Sequence, residues 1–269
     1  YYTGFALRAL AVLQELEPET CDRAANFLRG RLAGPADVID LFSLLVSAFL
    51  VQLGGGPDVF AAAPADWRDR VADGLEAHRH ADGGYSRARG GTAGSTYTTF
   101  LVLLATQLLD RPPRGPDRVL AFLRSRYREG GFVEIAQMKR AGTNPTAAGI
   151  GCLQVLGGLD EETRMRTIDF LLSMRAAGEK ALRANDRIPA ADLLSTFTGS
   201  WTVADLGGMD RLDQAGLRSY AESLQGPDGG FRGGAWDTGF DVEYTFYGVG
   251  LLGLLAENPG NTWASSSTS

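Results

Sequence analysis

The stretch Gln225–Leu255, QGPDGGFRGGAWDTGFDVEYTFYGVGLLGLL, holds a glycine turn (Asp228-Gly229-Gly230-Phe231), a second loop around Trp236, and then an apolar run. The run opens at Asp241, carries Tyr244, Thr245 and Phe246 at its entrance, and is almost purely aliphatic by Leu255. The same order recurs upstream. Asp82-Gly83-Gly84-Tyr85 leads to Tyr97-Thr98-Thr99-Phe100, Gly130-Gly131-Phe132 to Pro145-Thr146, and Ala190-Ala191-Asp192 to Ser195-Thr196-Phe197. With a threonine as landmark, positions 98, 146, 196 and 245 are 48, 50 and 49 residues apart. A period of that size marks a repeat architecture, one supersecondary unit used several times.

Each period divides into an amphipathic segment and one that is apolar nearly all round. The amphipathic segments are Glu19–Leu32, Asp66–Ala77, Pro116–Tyr127, Glu161–Met174 and Gln214–Gln225; the apolar ones are Tyr1–Leu13, Val38–Leu53, Thr96–Leu109, Thr146–Leu156, Ser195–Leu206 and Val242–Leu255. Ala and Leu dominate and alternating β-branched runs are missing, so both kinds read as helices. An amphipathic helix covers a surface, whereas one that is apolar all round needs partners on both sides. Six buried helices alternating with five amphipathic ones predict an all-α fold, an α/α toroid of concentric inner and outer rings. It would contain about six helical hairpins, with the first outer helix expected upstream of Tyr1. The rival is an open solenoid, but a simple stacked hairpin has no need of a long glycine loop before every buried helix. Residues 1–257 read as one domain and 258–269, rich in small polar residues, as a flexible tail.

Composition narrows the partners. With 44% hydrophobic and 22% charged residues the chain is an ordinary globular one, and a formal charge of −6 argues against nucleic acid or an anionic membrane as main partner. The longest apolar run, Ile39–Leu53, is too short to span a bilayer. Cys21 and Cys152 form no CxxC pair and read as buried thiols, which fits a cytoplasmic setting. No leader is visible, although the chain opens at Tyr1 without a methionine, which leaves room for a trimmed one.

In concentric rings the inner helices run parallel, so their N-termini, with unpaired N–H groups and about half a positive charge each, gather at one end. The glycine loops bring Arg87, Arg89, Lys139, Arg140, Lys180, Arg183, Arg187 and Arg232 to that end. A basic rim over helix N-termini is an anion site; the alternative is solvated loop charge, partly neutralised by Asp40, Asp192, Asp237 and Asp241. The same entrances carry Tyr1, Tyr2, Phe5, Phe42, Tyr97, Phe100, Phe197, Trp201, Tyr244, Phe246 and Tyr247. An aromatic pocket beneath a basic rim suits a long unsaturated hydrocarbon with an anionic head, and ring faces attract carbocations; the alternative is core packing. Asp237 and Asp241, four apart, are either a pair sharing a proton or a helix cap. His78 and His80 read as exposed residues at a helix end.

The Asp-Gly-Gly-Phe turns, Gln225-Gly226-Pro227-Asp228-Gly229-Gly230-Phe231 and Asp241-Val242-Glu243-Tyr244-Thr245-Phe246-Tyr247-Gly248 together resemble the repeat of the prenyltransferase and squalene-cyclase superfamily. That superfamily includes protein prenyltransferase β subunits and class II terpene cyclases, all α/α toroids, and the resemblance runs over nearly the whole chain. It implies a zinc held by an Asp and a Cys spaced Asp-x-Cys at one inner-helix entrance and a His at the next. The matching positions here are Asp192, Leu194 and Tyr244. One carboxylate does not make a site that normally needs three protein ligands, so zinc is not expected. The Asp-x-Asp-Asp acid motif of the cyclases is missing, as is an Asp-Asp-x-x-Asp magnesium cluster, so no cofactor is expected beyond magnesium accompanying a diphosphate.

The reading that follows is a prenyltransferase-like protein that takes an isoprenoid diphosphate or another lipid into a central aromatic cavity, with a partner subunit supplying missing groups if it transfers the prenyl group. The alternatives are a terpene-cyclase-like enzyme and a non-catalytic toroid that binds an isoprenoid or a protein. Asp192, Asp237, Asp241 and Tyr244 are the candidate catalytic residues. Tyr97, Phe197, Trp201, Phe246, Arg183, Arg187, Lys139 and Arg140 are the candidate substrate contacts.

Overall fold

In the computed structural model, which describes residues 1–32 and 36–256, every apolar segment is a helix. The expected tail, 258–269, and residue 257 lie outside the described residues. Along the chain run α1 (Tyr2–Val12), α2 (Pro18–Arg29), α3 (Val38–Leu53), α4 (Trp67–Glu76), α5 (Thr96–Leu108) and α6 (Pro116–Arg126). A two-residue antiparallel ladder, β1 (Tyr127–Arg128) with β2 (Gly131–Phe132), precedes α7 (Thr143–Val155), α8 (Glu161–Ser173), α9 (Leu193–Asp205), α10 (Gln214–Ser223) and α11 (Val242–Leu254). Helix α7 begins three residues earlier than the pattern suggested. Pro145 is admitted because a first-turn proline lacks only an N–H that no helical carbonyl would accept.

The odd-numbered helices pack in the cyclic order α1, α3, α5, α7, α9, α11 and back to α1, a closed ring. Outer helices α2, α6, α8 and α10 lie against the inner helix that follows each, and Leu75 of α4 is buried in the same core. Neighbouring inner helices are in register end to end. Near the N-termini Asn144 of α7 donates to Ser195 of α9 (3.5 Å); near the C-termini Gln154 of α7 donates to Asp205 of α9 (2.5 Å). The inner ring is therefore parallel. Leu7 of α1 is buried with Cys21, Ala25 and Leu28 of α2, and beside it Thr3, Ala6, Leu7 and Leu10 with Ala24 and Phe27 line a groove of about 300 Å³.

The glycine turns fasten each hairpin to its inner helix by one repeated hydrogen bond. The backbone N–H of Tyr85, Phe132, Leu182 and Phe231 donates to the hydroxyl of Thr99, Thr146, Thr196 and Thr245, in every case 14 residues on. Each threonine hydroxyl in turn donates to the carbonyl four residues before it, of Ser95, Gly142, Asp192 and Asp241. The landmark threonine in the first full repeat is thus Thr99 and not Thr98, because only Thr99 faces the turn. Repeats are joined to one another as well: the first N–H groups of α5, α7 and α9 (Thr96, Thr143, Leu193) donate to Glu134, Ala184 and Gly233 in the loop of the next repeat. Otherwise unpaired helix ends are satisfied by neighbouring loops.

The inner helices are not buried all round. On α5 the residues left accessible are Tyr97, Phe100, Leu104, Gln107 and Leu108, a single helical stripe, and on α9 they are Leu194, Phe197, Thr198, Trp201, Ala204 and Asp205. With both flanks taken by neighbours and the back by the outer ring, such a stripe faces the ring's interior. Leu104 and Leu252, on helices whose apolar surface runs nearly all round and predicts burial, are half-buried for this reason, whereas Leu101, Ile150, Leu153, Val203 and Leu255 are in the core. Cys21 and Cys152 are buried free thiols. No helix of the described residues is long and apolar enough to cross a membrane.

Candidate functional site

The interior stripes converge where α1 meets α11. Phe5 lies 5.7 Å from Phe246 and 5.6 Å from Tyr247, centroid to centroid, and Phe197 of α9 lies 5.5 Å from Phe246 and 6.0 Å from Trp201. The spacing of Phe197 and Trp201, one turn apart on α9, stacks them along the stripe. Glycines make room for these rings. A Cβ on Gly250 would meet the Phe197 ring at 2.7 Å, and one on Gly151 the Phe100 ring at 2.4 Å. Phe197, Trp201 and Phe246 therefore share one interior surface, and Tyr97 lies on the accessible stripe of α5. Trp201 keeps 51% of its surface accessible, too much for a residue whose role is core packing.

A polar cluster sits at the N-terminal level of this surface, and sequence reasoning missed two of its members, Glu243 and Arg8. The hydroxyls of Tyr1 (2.9 Å) and Tyr247 (3.0 Å) both donate to Glu243. Arg8 donates through Nε to the Gly4 carbonyl (3.1 Å) and lies over the faces of Phe5 (4.4 Å) and Phe246 (5.2 Å). Tyr97, on α5 across the ring, is close enough to feel the charges of Arg8 and Glu243. Burial, then the bonded Glu243, raises the Tyr1 phenol; burial, then the charge of Glu243, raises Tyr247; burial lowers Arg8. A signal was present: Arg8 is the sole Lys or Arg in the six inner helices, and Glu243 is the sole charge of α11.

The candidate catalytic residues also come together, at the entrances of α9 and α11, where the Tyr244 phenol is raised by burial and then by Asp192, Asp241, Glu243 and Asp237. Their carboxylates are engaged in local structure. Asp192 accepts from Ser195 N (2.7 Å) and Asp241 from Tyr244 N (2.8 Å), capping α9 and α11. Asp237 accepts from the N–H groups of Gly239 (3.0 Å) and Gly233 (3.2 Å), which hold its carboxyl below the usual range. That is the opposite of what a proton-sharing acid requires. The Asp192 carboxyl is raised, by burial against the pull of the Ser195 N–H. Among the described residues no group of three His, Cys, Asp or Glu side chains is placed to hold a metal.

The rim is less basic than its composition. Arg87 pairs with Asp37 (2.6 Å) and Arg140 with Asp186. Lys139 and Arg187 are exposed, and Arg183 is half-buried with its Nε unpartnered. His78 corrects another expectation: it is 8% exposed, with Nδ1 3.2 Å from the Ser86 carbonyl, because the loop folds back over the end of α4. It lines a shallow recess of about 530 Å³ with Ala36, Asp37, Arg87, Ala88 and Arg89.

No protein-family model and no curated protein matches the sequence. Solved structures do. The chain is similar to the protein geranylgeranyltransferase-I of Candida albicans, solved in complex with GGPP, at a TM-score of 0.78 and 13% identity, over 93% of this chain and 82% of that one. It is similar to the type II terpene cyclase MstE of Scytonema, solved with geranylgeranyl dihydroxybenzoate, at a TM-score of 0.62 and 14% identity, over 95% and 86%. It also matches ent-copalyl diphosphate synthase of Streptomyces platensis, at a TM-score of 0.54 and 22% identity, over 72% of this chain but 36% of the longer one. At these identities what is shared is the fold: the chain is an α/α toroid of the kind found in prenyltransferases and terpene cyclases, as its glycine turns suggested.

Proposed function

We propose that this protein binds an isoprenoid, with the hydrocarbon along the interior aromatic surface and an anionic head such as a diphosphate at the N-terminal end of the inner ring. The observation that carries this reading is the accessible interior stripe of Tyr97, Phe197, Trp201 and Phe246 in a ring otherwise closed by packing. Two of the similar structures hold geranylgeranyl compounds, which supports the same ligand class. Lys139, Arg140, Arg183 and Arg187 stand on the loops at that end and would draw an anionic ligand inward. Prenyl transfer by a zinc-bound thiolate finds no support in the residues present, so transfer, if it occurs, would need groups from a partner chain. Cyclisation would need an acid, and burial raises the carboxyl of Asp192, at the entrance of α9.

The test is a titration with fluorescent geranyl, farnesyl and geranylgeranyl diphosphates. Affinity should rise along the series, since each buried CH₂ contributes about 0.8 kcal/mol, until the cavity is filled. Trp201→Ala should weaken the longest member most. Equal and negligible affinity for all three, with Trp201→Ala neutral, would leave a toroid that binds a protein partner or nothing in its centre.

A further inference from the structure

Among the described residues one guanidinium, that of Arg8, stands against the interior aromatic surface, over the rings of Phe5 and Phe246. Arg8 is the sole Lys or Arg of the six inner helices. Its Nε bond to Gly4 turns the side chain back toward the N-terminal end, so the guanidinium lies level with the rings of Phe5 and Phe246. Burial lowers its pKa, yet among the described residues no carboxylate comes within ion-pair distance, and the Gly4 carbonyl is its one hydrogen-bond acceptor. Both terminal nitrogens are left with donors to give. Arg8 is half-buried, and a ligand that covered its guanidinium would have to bond it, because desolvating an unpaired charge is costly.

The neighbouring groups favour an oxygen anion as its ligand. Glu243 is near enough for its charge to act on Arg8, but its oxygens accept from Tyr1 and Tyr247 instead. Tyr97, on the accessible stripe of α5, is close enough for the charge of Arg8 to act on it and keeps 41% of its surface accessible. The Arg8 guanidinium thus stands beside Phe5 and Phe246, with the Tyr97 hydroxyl within reach of its charge. Planar fork donors match carboxylate and phosphate oxygens, and such charge-assisted bonds are the strong ones.

We propose that Arg8, together with the Tyr97 hydroxyl, is the receptor for the anionic group of the ligand, a phosphate or carboxylate carried on an apolar chain and held inside the ring and not on the loop arginines. This rests on the isoprenoid reading for the apolar chain, but not for the anion. Glu243 opposes the anion by its charge, and the two phenols that bond it limit that opposition.

Calorimetric titrations of the whole chain with geranylgeranyl diphosphate, geranylgeranoic acid, geranylgeraniol and inorganic diphosphate separate the terms. Both charged lipids should bind more tightly than the alcohol. Arg8→Met should weaken the charged lipids about 10- to 100-fold and the alcohol hardly at all. Arg8→Lys should recover part of the loss, and it decides the matter if Arg8→Met does not fold. Glu243→Gln should tighten the charged lipids selectively. The proposal is overturned if Arg8→Met weakens charged and uncharged lipids alike, if Arg187→Ala costs the diphosphate more than Arg8→Met does, or if Glu243→Gln unfolds the protein without tightening any anion, which would make Arg8 its internal counter-charge. Arg8-dependent binding of inorganic diphosphate with no lipid bound would remove the isoprenoid reading and keep the anion receptor. Binding of none of the four would remove both.

Discussion

The hydroxyl of Tyr1 lies 2.9 and 3.0 Å from the two carboxylate oxygens of Glu243, 242 positions further along the chain. That bond, with Phe5 packed on Phe246 and Tyr247 below it, is the seam at which the helical ring closes. The two layers of the seam should differ in weight. Phe5 is 3% exposed, so Phe5→Ala should destabilise by about 3–5 kcal/mol. Tyr1 is 44% exposed, and Tyr1→Phe should cost about 1 kcal/mol or less. Urea unfolding of the two variants measures both; a neutral Phe5→Ala would mean an open seam.

The repeated threonine bond makes a second expectation. Thr146 is fully buried, accepts from Phe132 N at 2.8 Å and donates to the Gly142 carbonyl at 2.7 Å. Thr146→Val keeps the shape but strands a buried N–H, at a cost of about 1–3 kcal/mol. Thr146→Ser retains the hydroxyl and should recover most of that. Equal losses in chemical denaturation would show that the methyl group, and not the hydrogen bond, holds the turn.

A third concerns the turn aromatics. A Cβ on Gly248 would meet the Phe231 ring at 2.3 Å, and Gly149 stands in the same relation to Phe132 at 2.5 Å. In the intervening repeat Leu182 takes the aromatic's place against Gly199, at 2.6 Å. Gly248→Ala should therefore cost about 1–3 kcal/mol through overpacking. Phe231→Leu in the same chain should restore part of it, since one repeat already uses that pair. Additive losses in the double-mutant cycle would contradict this.

How far the sequence could be read follows from the same residues. The toroid was legible because the alternation of amphipathic and apolar helices is a global constraint that single exceptions do not disturb. The phase within a repeat was not: Tyr97-Thr98-Thr99-Phe100 offers two threonines, and only the fold shows which faces the turn. Leu252 was expected to be a full core residue, yet a residue on the interior stripe looks no different in sequence from one on the flanks, so Leu251 is the better core probe. The aromatics of the interior stripes stood out because they recur by repeat. Arg8 and Glu243 occur once each and match no motif; only ring closure brings α1 beside α11. His78 sat in an ordinary helix-end context, and its burial depends on a loop whose path the sequence does not state.

The last expectation is a pH dependence carried by Asp82, in the first glycine turn. Burial alone would raise its carboxyl, but hydrogen bonds from His80 and from the N–H groups of Gly84 and Gly94, with the charge of Arg126, outweigh it and hold the pKa below the ordinary value. Arg126 is the buried partner, 4% exposed, with its Nη2 2.5 Å from Asp82 and its Nε without an acceptor. A carboxyl with a depressed folded pKa contributes stability that is complete above its unfolded value, about 3.9, and lost as pH falls through the folded one. Stability should therefore decline as pH drops from about 4 toward 2, in part through this residue. Asp82→Asn removes the charge that Arg126 needs and should cost about 3 kcal/mol at neutral pH, toward the low end for a broken buried pair because Asp82 is partly accessible. In the acid range the variant and the parent should converge, since the parent's carboxyl is then protonated too. Unfolding free energies measured from pH 7 to pH 2 decide it: a loss of the same size at every pH would assign the effect to the turn's backbone hydrogen bonds and not to the ion pair.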